Sequence, residues 1–71
     1  MARTSSKQKL GKKVRFLRTS KAWSQERLGE HSGLDRTYIS DIKRGVRNPS
    51  LKSLEKLSKA LKIKVSDLTN F

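Results

Sequence analysis

The stretch "GLDRTYISDIKRGVRNPS", residues 33–50, contains a short predicted helix with a narrow apolar strip. At about 100° per residue, Ile39 and Ile42 point in the same direction. The opposite face carries polar and charged side chains, namely Thr37, Ser40, Asp41 and Arg44, with Arg36 and Tyr38 beside them at the N-terminal end. A helix held by one thin apolar strip is expected to present its polar face rather than bury it.

The flanking residues define where this helix and the one before it begin and end. Asp35 is a good N-cap, and Gly45 predicts the end of a helix over about residues 36–44. Upstream, "WSQERLGEHSG" predicts a helix capped by Ser24 and ended by Gly33 in the left-handed conformation. The two helices are therefore separated by a turn of three residues, which is typical of a helix-turn-helix unit.

Helical periodicity continues on both sides of this unit, and no segment shows the alternation of a strand. A first helix is predicted from Lys7 to Lys21, with Leu10, Val14 and Leu17 on one face. A fourth helix follows the cap Ser50, with a stripe formed by Leu51, Leu54, Leu57 and Leu61, and a last short turn starts at Ser66. The predicted fold is all-α, a compact bundle of four to five short helices, with a flexible basic arm at residues 1–6 and one domain at 7–71.

Charge indicates the class of partner. The chain of 71 residues has 18 Lys and Arg against 6 Asp and Glu, a net charge of +12, and residues 1–25 contain eight basic side chains and no acid. Such a field attracts polyanions, nucleic acid first and anionic membrane second, although a lysine-rich surface can also serve solubility alone.

The same composition argues against other classes of function. The chain has no Cys and one His, and its four glycines are scattered, so we expect no catalytic site, no metal site, no cofactor and no small-molecule substrate. No apolar run approaches the roughly 20 residues that span a bilayer. We expect a cytoplasmic, nucleoid-associated protein.

In helix-turn-helix units the second helix lies in the DNA major groove with its N-terminal residues at base edges. The polar face of residues 36–44 has suitable chemistry, because Arg forms a two-pronged hydrogen bond to guanine and the methyl group of Thr can contact that of thymine. Residues 36–44 are therefore the predicted recognition helix.

Three motifs carry a resemblance to a known family: "LR...SQERLG", "SGLDRTYISDIKRG" and "RNPSLKSLEKLSKAL". Over about residues 10–68 the chain resembles the phage-repressor and Cro-like (Xre-type) helix-turn-helix proteins, and it looks especially like the controller proteins of restriction–modification systems. The resemblance implies a lambda-repressor-like fold and a sequence-specific transcription regulator that binds a palindromic operator in double-stranded DNA as a homodimer. Controller proteins regulate their own transcription and that of the endonuclease.

The resemblance also implies roles for individual residues. The expected base contacts are Arg36, Thr37, Tyr38, Ser40 and Asp41, and the expected phosphate contacts are Gln25, Arg44, Arg47 and Asn48. Asp41 could instead pair with Arg44, three residues further along the helix. Dimer contacts are expected from the fourth and fifth helices, including Val65, Leu68 and Phe71.

Two positions depart from the family pattern. Ala22 stands where the family usually has Gly, and a left-handed Ala there costs about 1 kcal/mol. Lys43 stands where the family commonly has a Glu that pairs with the helix-one Arg, here Arg18. We expect Arg18 to turn to Glu26, to Glu55 or to DNA phosphate instead.

Three further expectations concern single side chains. Phe16 is expected to lean onto a neighbouring element, His31 to be a solvated surface residue, and Gly29 to allow another helix to approach closely. Two alternative functions are left open by the sequence: the fold could serve as an antitoxin or as the DNA-binding module of a larger protein, and a basic amphipathic chain could lie on anionic membrane or RNA.

Overall fold

Five short helices make up the part of the chain that the computed structural model describes, residues 6–70. They are α1 (Ser6–Ser20), α2 (Gln25–Ser32), α3 (Arg36–Arg44), α4 (Leu51–Leu61) and α5 (Val65–Leu68). No strand occurs within 6–70, and the predicted all-α fold is confirmed. The arm predicted at residues 1–6 lies outside the described residues, apart from Ser6, which opens α1.

Polar side chains start three of the helices, as predicted. The side-chain oxygens of Ser24, Asp35 and Ser50 accept hydrogen bonds from backbone N–H groups in the first turns of α2, α3 and α4. Each bond satisfies a donor that has no partner within the helix, and such a cap typically stabilises a helix by about 1 kcal/mol. The three caps therefore fix the residues at which α2, α3 and α4 begin.

Residues with positive φ end four of the helices. Gly33 (φ 75°) follows α2 and Gly45 (φ 72°) follows α3, in agreement with the sequence prediction. Ala22 (φ 57°) and Lys62 (φ 58°) adopt the same left-handed conformation after α1 and α4, where a side chain makes it unfavourable. The strain expected at Ala22 is therefore present.

The core is formed by apolar side chains from all five helices. Its buried members are Leu10, Val14, Leu28, Ile39, Ile42, Leu57, Leu61 and Leu68. The prediction that Leu68 takes part in dimer contacts is wrong, because its side chain is fully buried. Phe71, assigned to the same surface, lies outside the described residues.

A glycine allows α1 and α3 to pack closely. A Cβ atom added to Gly11 would overlap the carbonyl oxygen of Ile42 and lie 2.8 Å from that of Lys43. Gly29 has a different neighbour from the one expected: its Cβ would lie 2.9 Å from the carbonyl oxygen of Leu34, in the turn before α3. The expectation that another helix approaches Gly29 is wrong, since the close neighbour is the turn itself.

Two side chains on α1 differ from the predictions, and one on α2 makes a contact that was not predicted. Phe16 is 67% exposed and so does not lean onto a neighbouring element. Arg18 forms no ion pair with Glu26 or Glu55 within residues 6–70; its Nη1 donates a 2.5 Å hydrogen bond to the carbonyl oxygen of Trp23, at the end of the α1–α2 turn. His31 is exposed, as expected for a surface residue, and its ring also stacks on the Trp23 ring with centroids 4.1 Å apart and planes 4° apart.

Candidate nucleic-acid interface

Helix α3 lies against the body of the protein through two side chains. Ile39 and Ile42 are each 1% exposed, and they belong to the same core cluster as Leu10 and Val14 of α1. On the other side Thr37 is exposed and Ser40 is half-buried. The predicted orientation of α3 is confirmed: its apolar strip faces inward and its polar face remains open to a partner.

The turn before α3 positions its N-terminal end. Gly33 donates its backbone N–H to the carbonyl oxygen of Gly29 at 2.8 Å, closing α2. Asp35 Oδ2 then accepts the backbone N–H of Thr37 at 2.8 Å, opening α3. The side chains of Arg36 and Thr37 are both exposed directly after this cap. They project at the helix end where the macrodipole is positive and favours an approaching anion.

Four side chains along the polar face of α3 and just beyond its end form a cluster, which we call the Asp41 cluster: Tyr38, Asp41, Arg44 and Arg47. Asp41 Oδ2 accepts two hydrogen bonds from Arg47, from Nη2 at 2.9 Å and from Nε at 3.2 Å. The guanidinium carbon of Arg47 lies 4.4 Å from the centre of the Tyr38 ring, a cation–π geometry. Arg47 is thus held at its edge by a carboxylate and on one face by an aromatic ring.

Arg44 completes the cluster more loosely. Its Nη1 atom lies 3.8 Å from Asp41 Oδ1, and its side chain is 66% exposed. Arg47 is less exposed at 42%, and Asp41 at 20% is the most enclosed of the three charged groups. Arg44 therefore keeps its freedom to turn toward a phosphate, whereas Arg47 is already engaged within the protein.

The ending of α3 explains how Asp41 and Arg47 meet. The backbone N–H of Gly45 bonds the carbonyl oxygen of Ile42, and that of Val46 bonds the carbonyl oxygen of Asp41, both at 3.1 Å. This pair of bonds is the Schellman ending, which reverses the chain over the last helical turn. The reversal carries Arg47 back over Asp41, six residues earlier.

Sequence reasoning considered Arg44 as the partner of Asp41 and missed Arg47. The sequence signal for this contact is the position of Asp41 four residues before Gly45, which ends the helix, and of Arg47 two residues after that glycine. The structure also brings Tyr38 into this cluster, where it packs against the core as well.

The remaining predicted contacts lie apart from the Asp41 cluster. Gln25 is half-buried at the start of α2, and Asn48 is exposed in the loop between α3 and α4. No hydrogen bond or ion pair joins either side chain to the cluster within the described chain. The exposed predicted residues are thus Arg36, Thr37, Arg44, Arg47 and Asn48, and the half-buried ones are Gln25, Tyr38, Ser40 and Asp41.

No helix among residues 6–70 combines the length and the apolarity needed to cross a membrane.

The only acid on α3 itself is Asp41, against Arg36, Lys43 and Arg44. Basic side chains that surround hydrogen-bonding ones are suited to a polyanion that also offers hydrogen-bonding edges.

Comparison with known proteins gives three kinds of match. A family model described as helix-turn-helix matches residues 14–68. The control protein C.BamHI of Bacillus amyloliquefaciens is 55% identical over 62 residues, covering 86% of this chain and 76% of that protein.

Solved structures agree with the sequence matches. The restriction–modification controller protein C.AhdI from Aeromonas hydrophila superposes with a TM-score of 0.84 at 47% identity, over 87% of this chain and 94% of that one. SinR, a master regulator for biofilm formation solved in complex with DNA, superposes with a TM-score of 0.82 at 34% identity, over 86% and 98% of the two chains.

Proposed function

Since the chain belongs to the helix-turn-helix family of DNA-binding transcription regulators, we propose that it binds a palindromic operator as a homodimer. In this proposal α3 of each protomer enters the major groove of one half-site. The observation that carries the proposal is the orientation of α3, with Ile39 and Ile42 buried and Thr37 exposed on the opposite side.

Base contacts are assigned to the polar face of α3, from its first residue to Asp41. We assign them to Arg36, Thr37, Tyr38, Ser40 and Asp41. Arg36 is suited to a two-pronged hydrogen bond with guanine O6 and N7, and Thr37 to a hydrogen bond or a methyl contact with thymine. Both are exposed at the capped end of the helix, where side chains reach base edges in this class of protein.

Phosphate contacts are assigned around that helix. We assign them to Gln25, Arg44, Arg47 and Asn48. Gln25 sits at the start of α2, where backbone N–H groups favour an anion, and the other three lie at or just beyond the end of α3. Contacts on both sides of the recognition helix would fix its depth and angle in the groove.

Dimerisation follows from the size of the domain. One domain of this size contacts too few base pairs for discrimination against a genome of competing sites, and a two-fold dimer doubles the contacts. The half-sites would lie about 34 Å apart, one turn of DNA. The surface assigned to the partner protomer is formed by α4 and α5, including the half-buried Val65.

Similarity to C.BamHI and C.AhdI supports a narrower role. We propose that the protein controls transcription of a restriction–modification system, acting on the DNA of the cytoplasm without catalysing a reaction. The relatives that it matches are regulators rather than enzymes.

In-vitro selection from random duplex DNA tests the proposal, because it requires no assumption about the operator sequence. The expected result is a palindromic consensus with half-sites one turn apart. Selection of no consensus, or of a single half-site bound by a monomer, would contradict the proposed operator and dimer respectively.

A variant pair then tests the role of α3. Arg36→Ala should weaken binding to the selected operator by about 1–3 kcal/mol for each half-site and relax the preference at one base position per half-site. Lys12→Ala removes the same charge from the exposed face of α1, where no contact is assigned, and should leave the preference intact. Equal losses for Arg36→Ala on operator and on scrambled DNA would refute a base-reading role for Arg36.

A further inference from the structure

Asp41 is an unexpected residue for a surface that meets DNA. It lies on the polar face of α3, where a carboxylate repels phosphate, yet its side chain is only 20% exposed. Both of its oxygens face arginines, Oδ2 at 2.9 Å and 3.2 Å from Arg47 nitrogens and Oδ1 at 3.8 Å from Arg44. Because both oxygens of Asp41 face arginines, its direct effect is on the position of these two side chains rather than on DNA.

The contact leaves Arg47 able to bind DNA. A guanidinium has five N–H donors, and Asp41 occupies the one on Nε and one of the two on Nη2. Three donors remain, on Nη1 and on the outer side of Nη2. Since the Tyr38 ring covers one face of the group at 4.4 Å, these donors point in a restricted direction.

Restriction of this kind has opposite effects on cognate and random DNA. An arginine already held in place loses less conformational freedom when it binds, but only if the phosphate lies where the donors point. Meanwhile the Asp41 charge cancels one of the two arginine charges, which weakens attraction to every sequence alike. The second effect lowers the affinity for all DNA, and the first effect restores affinity only for DNA bound in the correct register.

We propose that Asp41 is a positioning residue for DNA discrimination, which holds Arg47 against Tyr38 so that Arg47 meets the backbone in one register only. The inference rests on the proposed function, because it requires a preferred operator. It differs from the assignment of Asp41 as a base contact, since here Asp41 acts through Arg47.

The first test compares Asp41→Asn with the wild type on the selected operator and on a scrambled duplex at the same salt concentration. Binding to the scrambled duplex should tighten, whereas binding to the operator should not. The ratio of the operator affinity to the scrambled-duplex affinity should fall by roughly three- to tenfold. This change corresponds to part of the entropy that an arginine side chain loses when all its rotamer freedom is removed. Glu30→Gln makes the same change in charge on the exposed surface of α2, where Glu30 pairs with Arg27 rather than with any assigned contact, and should leave the ratio unchanged.

A second variant separates the geometry of Arg47 from its charge. Arg47→Lys keeps the positive charge but cannot form the two-donor bond, so it should lower the ratio about as much as Asp41→Asn. The double variant should show no further loss, because both changes break the same contact. Arg47→Lys also covers the case in which Asp41→Asn impairs folding, which thermal melting monitored by circular dichroism reports.

The free protein gives an independent readout. The Nε–H resonance of Arg47 should be shifted and slow to exchange in the wild type, and it should lose both properties in Asp41→Asn. An equal gain of affinity for both duplexes in Asp41→Asn, matching Glu30→Gln, would show that Asp41 acts through charge alone and would overturn the inference. A wild type without any operator preference would instead overturn the proposed function, and the resonance test would still report whether the contact exists.

Discussion

Replacing Ala22 with Gly should stabilise the protein. Ala22 ends α1 with a φ of 57°, and its N–H and that of Trp23 bond the carbonyl oxygens of Thr19 and Arg18 at 2.9 Å and 3.1 Å. The left-handed conformation costs an L-residue about 1–2 kcal/mol, and the freedom that Gly adds to the unfolded chain takes back about 0.4–1 kcal/mol. The side chain of Ala22 is exposed, so its methyl group contributes little packing.

The expected net gain is about 0–1.6 kcal/mol, and its centre near 0.8 kcal/mol is equivalent to a melting temperature about 3–6 °C higher for a domain of this size. Thermal melting followed by circular dichroism at 222 nm measures it. Ala60→Gly is the contrasting control, since Ala60 lies within α4 and packs against the core, so that the same change there should cost about 0.5–1 kcal/mol or more. A lower melting temperature for Ala22→Gly would refute the strain assigned to this turn.

Two further predictions concern packing and charge. Gly11→Ala should lower the free energy of unfolding in urea by about 1–3 kcal/mol. The new Cβ would meet the backbone carbonyls of Ile42 and Lys43, which cannot move aside as a side chain can. An unchanged midpoint of unfolding would show that α1 and α3 can separate without cost. Arg44→Ala should reduce the slope of log Kobs against log salt by about 1.8 on operator and scrambled DNA alike, about 0.9 for each protomer of the dimer. An unchanged slope would remove Arg44 from the phosphate contacts.

Much of the fold follows from local patterns in the sequence. Ser24, Asp35 and Ser50 satisfy backbone donors only when a helix starts directly after them, so the starts of α2, α3 and α4 could be predicted. The bounds of α3 agree with the prediction because a cap and a helix-ending glycine mark its two ends. Periodicity then determined which face of α3 carries Ile39 and Ile42.

The contacts between elements could not be predicted in the same way. Phe16 lies about 100° from the apolar stripe of α1, and periodicity alone does not say whether another helix covers that direction. Gly11 gave no local signal, since its reason is the approach of the α3 backbone. The partners of Arg18 and Arg47 depend on turns that reverse the chain, at Ala22 and Gly45 respectively.

The most direct test of the account is methylation protection of the selected operator by dimethyl sulfate, which attacks guanine N7 in the major groove. If the polar face of α3 lies in that groove, the wild type should protect guanines in both half-sites. Arg36→Ala, at a concentration that saturates the DNA, should lose protection at one guanine per half-site and keep the others. Full protection by Arg36→Ala, or wild-type protection confined to minor-groove adenine N3, would contradict the placement of α3.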